Sequence, residues 1–501
     1  MSFKNPLEIP EILDMVASHL NKSDLAHCVC VSKSWRDIFL RHIWRSIHRT
    51  FNKEDYANER SGPTQEALHN HRHFVQELTI EGPIRMDDIC THQNLHTLRI
   101  QFYKYGMTGY IEKRAVDWDL TEKLPRLHSL SLYHLIVDSS LCQRLLEHPR
   151  LRSLELEQAD IRSNAESKFW ESCKRLESLC LRKVTFNGGS MSIHRDAVFE
   201  RIRNLALDQQ QMNWDLMIVA FHCPMLETLE WKAPSFIVRI LIHRPLQMDR
   251  WDIIRGLATT FYLGPESGLQ SDWDSLWAAL IDAIGHCFGS ITHFVLCYGT
   301  FGPQSPKALS FHFNTLVRLD IQSSNPNISA MTRAVLCSCP KLEHLFSGNI
   351  SARDIVQDGP WVCQSLRALR VGFRVGETEQ DLQPLIFERL SSLVRLEMLS
   401  TDMPSSNDCD GVLNFRLDCG LRQLAILKKM TWVSFGIMAQ RLEMEDVEWM
   451  INNWKNLKAV KGTLNYTSSE LDQDLHKMLV SHDICPRRNI KQFQYLMRDR
   501  F

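Results

Sequence analysis

The sequence predicts an α/β solenoid of stacked strand-plus-helix repeats, entered through a three-helix unit. Three observations predict it. A short pattern, apolar-x-x-apolar-x-apolar, recurs at a nearly constant step along the 501 residues. Several segments between its copies look helical and stop at Pro or Cys-Pro. Residues 5–48 lack the pattern and instead carry helical periodicity. A chain of this length exceeds what one compact core holds, so several domains or a repeat array is required.

The N-terminal elements come first. Ile9, Ile12, Leu13, Val16 and Leu20 fall on one helical face. Asn21-Lys22-Ser23-Asp24 breaks that helix with good capping residues. The short segment Leu25-Ala26-His27-Cys28-Val29-Cys30-Val31 follows, and Ser32 can cap a third helix holding Trp35, Ile38, Phe39, Ile43 and Trp44. About 40 residues is the size at which a domain becomes marginal alone, so this unit (1–48) should lean on a partner or on the repeats. Residues 49–73, with His69-Asn70-His71-Arg72-His73, read as a polar linker.

The repeats are expected over 74–462. Leu95-His96-Thr97-Leu98-Arg99-Ile100 is one copy. Later copies begin at Leu127, Leu151, Leu176, Ile202 and Leu226, in steps of 24, 25, 26 and 24 residues. The pattern resumes at Ile291, Leu316, Leu342, Leu366 and Leu393, in steps of 25, 26, 24 and 27, with a weaker copy at Leu457. The alternating part is a strand with one buried face. The remaining residues must return the chain, and Ser140–His148, Asn213–Ala220 and Met331–Cys337 look like helices that do so. No unit can bury its own apolar face, so the units must stack. Trp231 takes an inward position and is expected in the core. Residues 232–290 are irregular, with room for a degenerate repeat near Asp252–Leu257 or a loop near Gly264–Gly268. In 463–501, a helix from Ser468 to about Ser481 is a candidate cap, and Arg487, Arg488, Lys491, Arg498 and Arg500 read as a solvated tail.

Composition narrows the function. With 44% hydrophobic residues, 58 Lys+Arg and 59 Asp+Glu, the chain is globular and nearly neutral at −1. That balance gives no global pull toward nucleic acid or an anionic membrane and leaves only local patches. No secretory leader or spanning apolar stretch is visible, so the cytosol or nucleus and reduced, buried thiols are expected for the 15 cysteines. Cys28-x-Cys30 and Cys337-x-Cys339 lack zinc-site spacing. No phosphate-cradling glycine loop or nucleophile elbow is present. Neither cofactor nor catalytic set is expected.

The repeating strings are similar to leucine-rich repeats, whose period is 20–29 residues. Cys223-Pro224-Met225-Leu226-Glu227-Thr228-Leu229 and Cys339-Pro340-Lys341-Leu342-Glu343-His344-Leu345 resemble the cysteine-containing subtype. At the N-terminus, Asn5-Pro6-Leu7-Glu8-Ile9-Pro10-Glu11-Ile12-Leu13, Asp24-Leu25 and Cys28-Val29-Cys30-Val31-Ser32-Lys33-Ser34-Trp35-Arg36 resemble an F-box. It departs from that family where Pro10 directly precedes Glu11. The opening string is similar to those of fungal members. The resemblance implies docking onto a Skp-type adaptor, and through it onto a cullin–RING ubiquitin ligase core. Pro6, Leu7, Ile9, Pro10, Ile12, Leu13, Leu25, Val29, Val31 and Trp35 are its candidate contacts.

Recognition of a protein substrate would fall on outward residues of the strands. Candidates are Arg99, Tyr133, Glu155, Glu157, Arg182, Asp208 and Glu230, then Asp320, Arg370 and Glu397. Glu155, Glu157, Asp208 and Glu230 are expected to form an acidic patch suited to a basic segment. The expected function is a non-catalytic substrate adaptor of a ubiquitin ligase, without nucleic-acid or membrane contact. The alternative is a binding or inhibitory scaffold without a ligase role.

Overall fold

The computed structural model describes residues 9–50, 63, 65–82, 92–102, 114–115, 124–187, 198–208, 219–220, 222–233, 236–242, 274, 278, 281–282, 290–297, 302–322, 327–357, 359–401, 411–435 and 440–487. The chain divides into two compact units, Met1–Leu226 and Glu227–Phe501.

The first unit opens with α1 (Pro10–His19), α2 (Lys22–Val29) and α3 (Lys33–Arg45). Pro10 starts α1, where its missing N–H costs nothing. Asn21 and Ser32 cap the other two, accepting from the Asp24 and Trp35 backbone N–H groups. Leu13, Ala17, Leu25, Ile38 and Phe39 form the core of this bundle. The inward stripe of α1 is therefore Leu13, Ala17 and the partly buried Leu20. Val16, expected on that stripe, is 37% exposed. Ile12, Met15 and Val16 make a second apolar face at i, i+3, i+4 spacing, which a single apolar stripe cannot distinguish.

No spacer separates the bundle from the sheet. α3 ends at Arg45, and β1 (Ser46–Thr50) begins at the next residue. β1 runs parallel to β2 (Glu77–Glu81), pairing Ile47 with Leu78. The Lys22 ammonium donates to the Ser46 carbonyl. The expected linker is corrected in part: Thr50 belongs to β1, and Gln65–His71 is helix α4, whose His71 ring stacks 4.5 Å from Trp44.

The pairing continues in parallel through β3 (Thr97–Gln101), then past the two-residue β4 (Arg114–Ala115) to β5 (Ser129–Tyr133). It continues past β6 (Leu135–Val137) to β7 (Ser153–Glu157). It then passes β8 (Asp160–Ile161) to reach β9 (Ser178–Arg182), and β10 (Thr185–Phe186) to reach β11 (Asn204–Asp208). β4, β6, β8 and β10 form a second, narrow parallel ladder. Inward positions such as Leu98, Leu130, Leu154, Leu179 and Leu205 stack at 0–1% exposure. The return helix Ser139–Glu147 is capped by Asp138, which accepts from the Leu141 N–H at 2.9 Å.

Each of β5, β7 and β9 stops at a left-handed residue: His134, Gln158 and Lys183 with φ of 59°, 52° and 52°. The His134 and Gln158 N–H groups reach across to the carbonyls of Glu157 and Arg182, at 2.9 and 2.8 Å. The turn thus stays hydrogen-bonded to the next strand.

The second unit starts differently. β12 (Thr228–Ala233) pairs antiparallel with β13 (Phe236–Ile242), and β13 antiparallel with β14 (Ile291–Cys297). The irregular stretch thus begins as a hairpin strand. Its expected degenerate repeat near 252–257 and loop near 264–268 lie outside the described residues. Parallel stacking then runs through β15 (Arg318–Gln322), β16 (His344–Ser351), β17 (Ala368–Arg374) and β18 (Met398–Ser400). It ends with β19 (Trp432–Ser434), β20 (Ala459–Lys461) and β21 (Cys485–Arg487). Trp231 is 1% exposed, in the core as expected.

Two expectations change here. The copy expected from Leu393 begins three residues later, because Met398 pairs with Ala368 and Leu399 with Leu369. Leu393 and Leu396 are both fully buried, so both satisfy the apolar pattern. The repeats also continue past Val460: the helix Ser469–Ser481 returns the chain to β21, which extends the sheet. Ser468 caps that helix through the Leu471 N–H.

Candidate docking surface and repeat face

The helical bundle divides its apolar residues between core and surface. Of the ten candidate contacts, Leu13 and Leu25 are 2% and 4% exposed and hold the helices from within. This corrects their placement on a docking surface. Val29 and Trp35 pack partly buried against the same core, with Trp35 5.3 Å from Phe39. Ile9 and Ile12 are half-buried and Pro10 is exposed. Val31 is 62% exposed. Pro6 and Leu7 lie outside the described residues. Met15, 60% exposed, was not singled out from the sequence; its signal is the spacing from Ile12. His42 bonds Asp14 at 2.8 Å, tying α3 to α1. That bond, more than the burial opposing it, lowers the Asp14 carboxyl from its ordinary value.

On the first unit's sheet, register builds the repeat face. Arg99, Ser131, Glu155, Cys180 and Ala206 form one row; Gln101, Tyr133, Glu157, Arg182 and Asp208 form the next. Glu155 is the hub. It accepts from Ser131 Oγ at 2.8 Å and pairs with Arg182 at 2.8 Å and Arg99 at 3.6 Å. Arg182 also lies 3.7 Å from Glu157. The Arg99 guanidinium sits 6.0 Å from the Tyr133 ring centre. Burial, then the charge of Glu155, pushes the Tyr133 phenol up to about 12, so it stays protonated at neutral pH.

The expected acidic patch is therefore corrected. Two arginines meet Glu155 and Glu157, and this part of the face is charge-balanced. Asp208 ends its row beside Arg182. Glu230 lies on β12, in the other unit. In that second unit Asp320, 8% exposed, is 3.9 Å from Arg318, which lies 5.7 Å from the Phe346 ring centre. Arg370 is half-buried in one row with Phe346 and Ser400. Glu397 pairs with Arg367 at 2.9 Å and precedes its strand, so Ser400 takes the central outward place expected of it.

Cys142, Cys173, Cys223, Cys339 and Cys363 are buried. Burial pushes Cys142, Cys339 and Cys363 up to about 12, which leaves them inert as nucleophiles at neutral pH. Among the described residues, no group of His, Cys, Asp and Glu could hold a metal ion, and no helix is long and apolar enough to cross a membrane.

Fold and site together define an F-box plus leucine-rich-repeat protein. Residues 10–50 match the F-box-like family model, which covers the three helices and β1. No curated protein matches the chain. Among solved structures, it is similar to a leucine-rich-repeat protein of Leptospira interrogans, with 12% identity over 90% of this chain and 92% of that one, at a TM-score of 0.41. An internalin of Listeria monocytogenes shares 12% identity over 86% and 95%, at 0.31. A yeast Rad7–Elc1 complex chain shares 12% over 92% and 90%, at 0.29.

Proposed function

We propose that the chain is a non-catalytic substrate-recognition subunit of a cullin–RING ubiquitin ligase, acting in the cytoplasm or nucleus. The F-box-like helices dock a Skp-type adaptor through Pro10, Ile12, Met15, Val16 and Val31. The repeats hold a protein substrate through outward side chains such as Arg99, Tyr133 and Arg182. One observation carries this reading: a bundle of marginal size leaves large apolar side chains in solvent while its core is already complete. Such a surface is where a partner covers apolar area.

Point substitutions test this better than truncation, because removing residues 1–48 would cut into β1. Met15→Glu with Val31→Asp should weaken adaptor binding at least tenfold, about 1.4 kcal/mol. It should leave stability within about 0.5 kcal/mol, because both side chains are exposed. Leu25→Ala should instead lower stability by about 2–5 kcal/mol. Isothermal titration with purified Skp-type adaptor and thermal melts read both. Unchanged affinity in the double variant would remove this surface from the adaptor interface. Adaptor binding without cullin-dependent turnover of any captured protein would make the chain a scaffold instead.

A further inference from the structure

The first unit carries a second charged feature, away from the balanced Glu155 hub. Arg126, Arg150, Arg175 and Arg201 each stand immediately before the first inward residue of a repeat: Leu127, Leu151, Leu176 or Ile202. Each is three residues ahead of a position in one paired row, Ser129, Ser153, Ser178 and Asn204. The four arginines therefore occupy one register row along the edge where the strands begin. Arg126, Arg150 and Arg201 are exposed and Arg175 is half-buried. Asn94 holds the same place one repeat earlier, and Arg126 donates to its side chain at 2.8 Å. That bond places neighbours in this row within reach of each other.

Nearby charges leave the row basic. Lys174 and Glu171 pair with each other, and Arg152 pairs with Glu177 at 3.4 Å. Glu200 is the acidic residue flanking Arg201. Strands lie about 4.8 Å apart, so four arginines span about 14 Å, the length of four to five residues of extended chain at about 3.3 Å each. Beside them runs a neutral lane of Thr97, Ser129, Ser153, Ser178 and Asn204, whose side chains can both give and accept hydrogen bonds.

We propose that this rim binds an acidic, extended segment of a partner protein, its carboxylates meeting the arginine row. The inference deepens the substrate-recognition reading and rests on it. Charge complementarity selects the sign of the partner. A nucleic-acid strand fits less well, because the chain as a whole is nearly neutral and exerts no global pull on a polyanion.

The test uses the full-length chain and three fluorescent probes: a short peptide alternating Glu and Ser, its Gln-for-Glu counterpart, and a single-stranded DNA of matching charge. Anisotropy at physiological salt should show the Glu peptide bound at least tenfold tighter than the other two. R150E/R175E/R201E should lose that binding at least tenfold. R150Q/R175Q/R201Q, which reverses no charge and is checked by thermal melting, should weaken it in the same direction. No binding of the Glu peptide by the natural chain, full binding by the Gln triple variant, or preference for the DNA would each overturn the proposal. Adaptor binding is titrated on the same proteins. Its loss with intact peptide binding would overturn the ligase reading alone, whereas intact adaptor binding without peptide binding would overturn the rim alone.

Discussion

Gln158 shows how much one backbone angle costs and returns. Its φ of 52° is a region that side chains with a Cβ enter at about 1–2 kcal/mol, yet its N–H keeps the bond to Arg182. Gln158→Gly should be neutral or mildly stabilising, whereas Gln158→Val, stiff at its branched Cβ, should destabilise by about 1–2 kcal/mol. Urea melts of the pair decide it, and equal midpoints would mean the turn relaxes freely. His344 is a residue of another kind, 5% exposed. Burial first, then Arg318, Arg367 and His293, lowers its imidazole to about 4. An unfolded imidazole titrates near 6.5. Between those values the unfolded chain binds a proton that the folded one refuses, so stability rises with pH and is lost as pH falls from 6.5 toward 4. The loss is about 3–4 kcal/mol at most, taking about 1.4 kcal/mol per pKa unit. Melts of H344Q across that range should show a shallower acid limb; an unchanged slope would place the proton elsewhere.

At the level of the element, the strand is the unit that the sequence states most clearly. Alternation within Ser153–Glu157 puts Leu154 at 1% exposure and leaves Ser153 half-buried on the other face. Leu154→Ala should cost about 2–5 kcal/mol through lost contacts and a cavity, and Ser153→Ala no more than about 0.5 kcal/mol. Chemical denaturation compares them, and matching losses would contradict the register with β5 and β9. The helices were harder to bound. α1 carries two apolar faces, one for its own core and one for solvent, and a single sequence merges them into one stripe. Leu393 misled for a related reason: the turn after the helix Gln383–Ser391 buries a leucine three residues ahead of the true first position, Leu396. β19 was missed because Met430 starts its copy and the outward Trp432 hides the alternation.

In the molecule as a whole, the repeat architecture and the helical entry were legible because period and register follow from burial, which sequence records directly. The face chemistry was less so. Glu155 and Arg182 are 27 positions apart, and only stacking of β7 on β9 makes them partners. The acidic patch therefore could not be told from a balanced network before the register was known. The direct passage from α3 into β1 has a further consequence. With no spacer at that junction, the bundle and the first strands share one compact unit, so the exposed apolar face of the bundle keeps a fixed bearing toward the repeats of that unit. Strand number then works as a ruler. Each repeat inserted between β1 and β11 would carry whatever the later strands of this unit grip about 4.8 Å further from whatever the bundle holds. Under the adaptor function proposed above, which residue of a captured protein comes within reach of a tethered enzyme would be set by counting repeats, not by the flexing of a hinge.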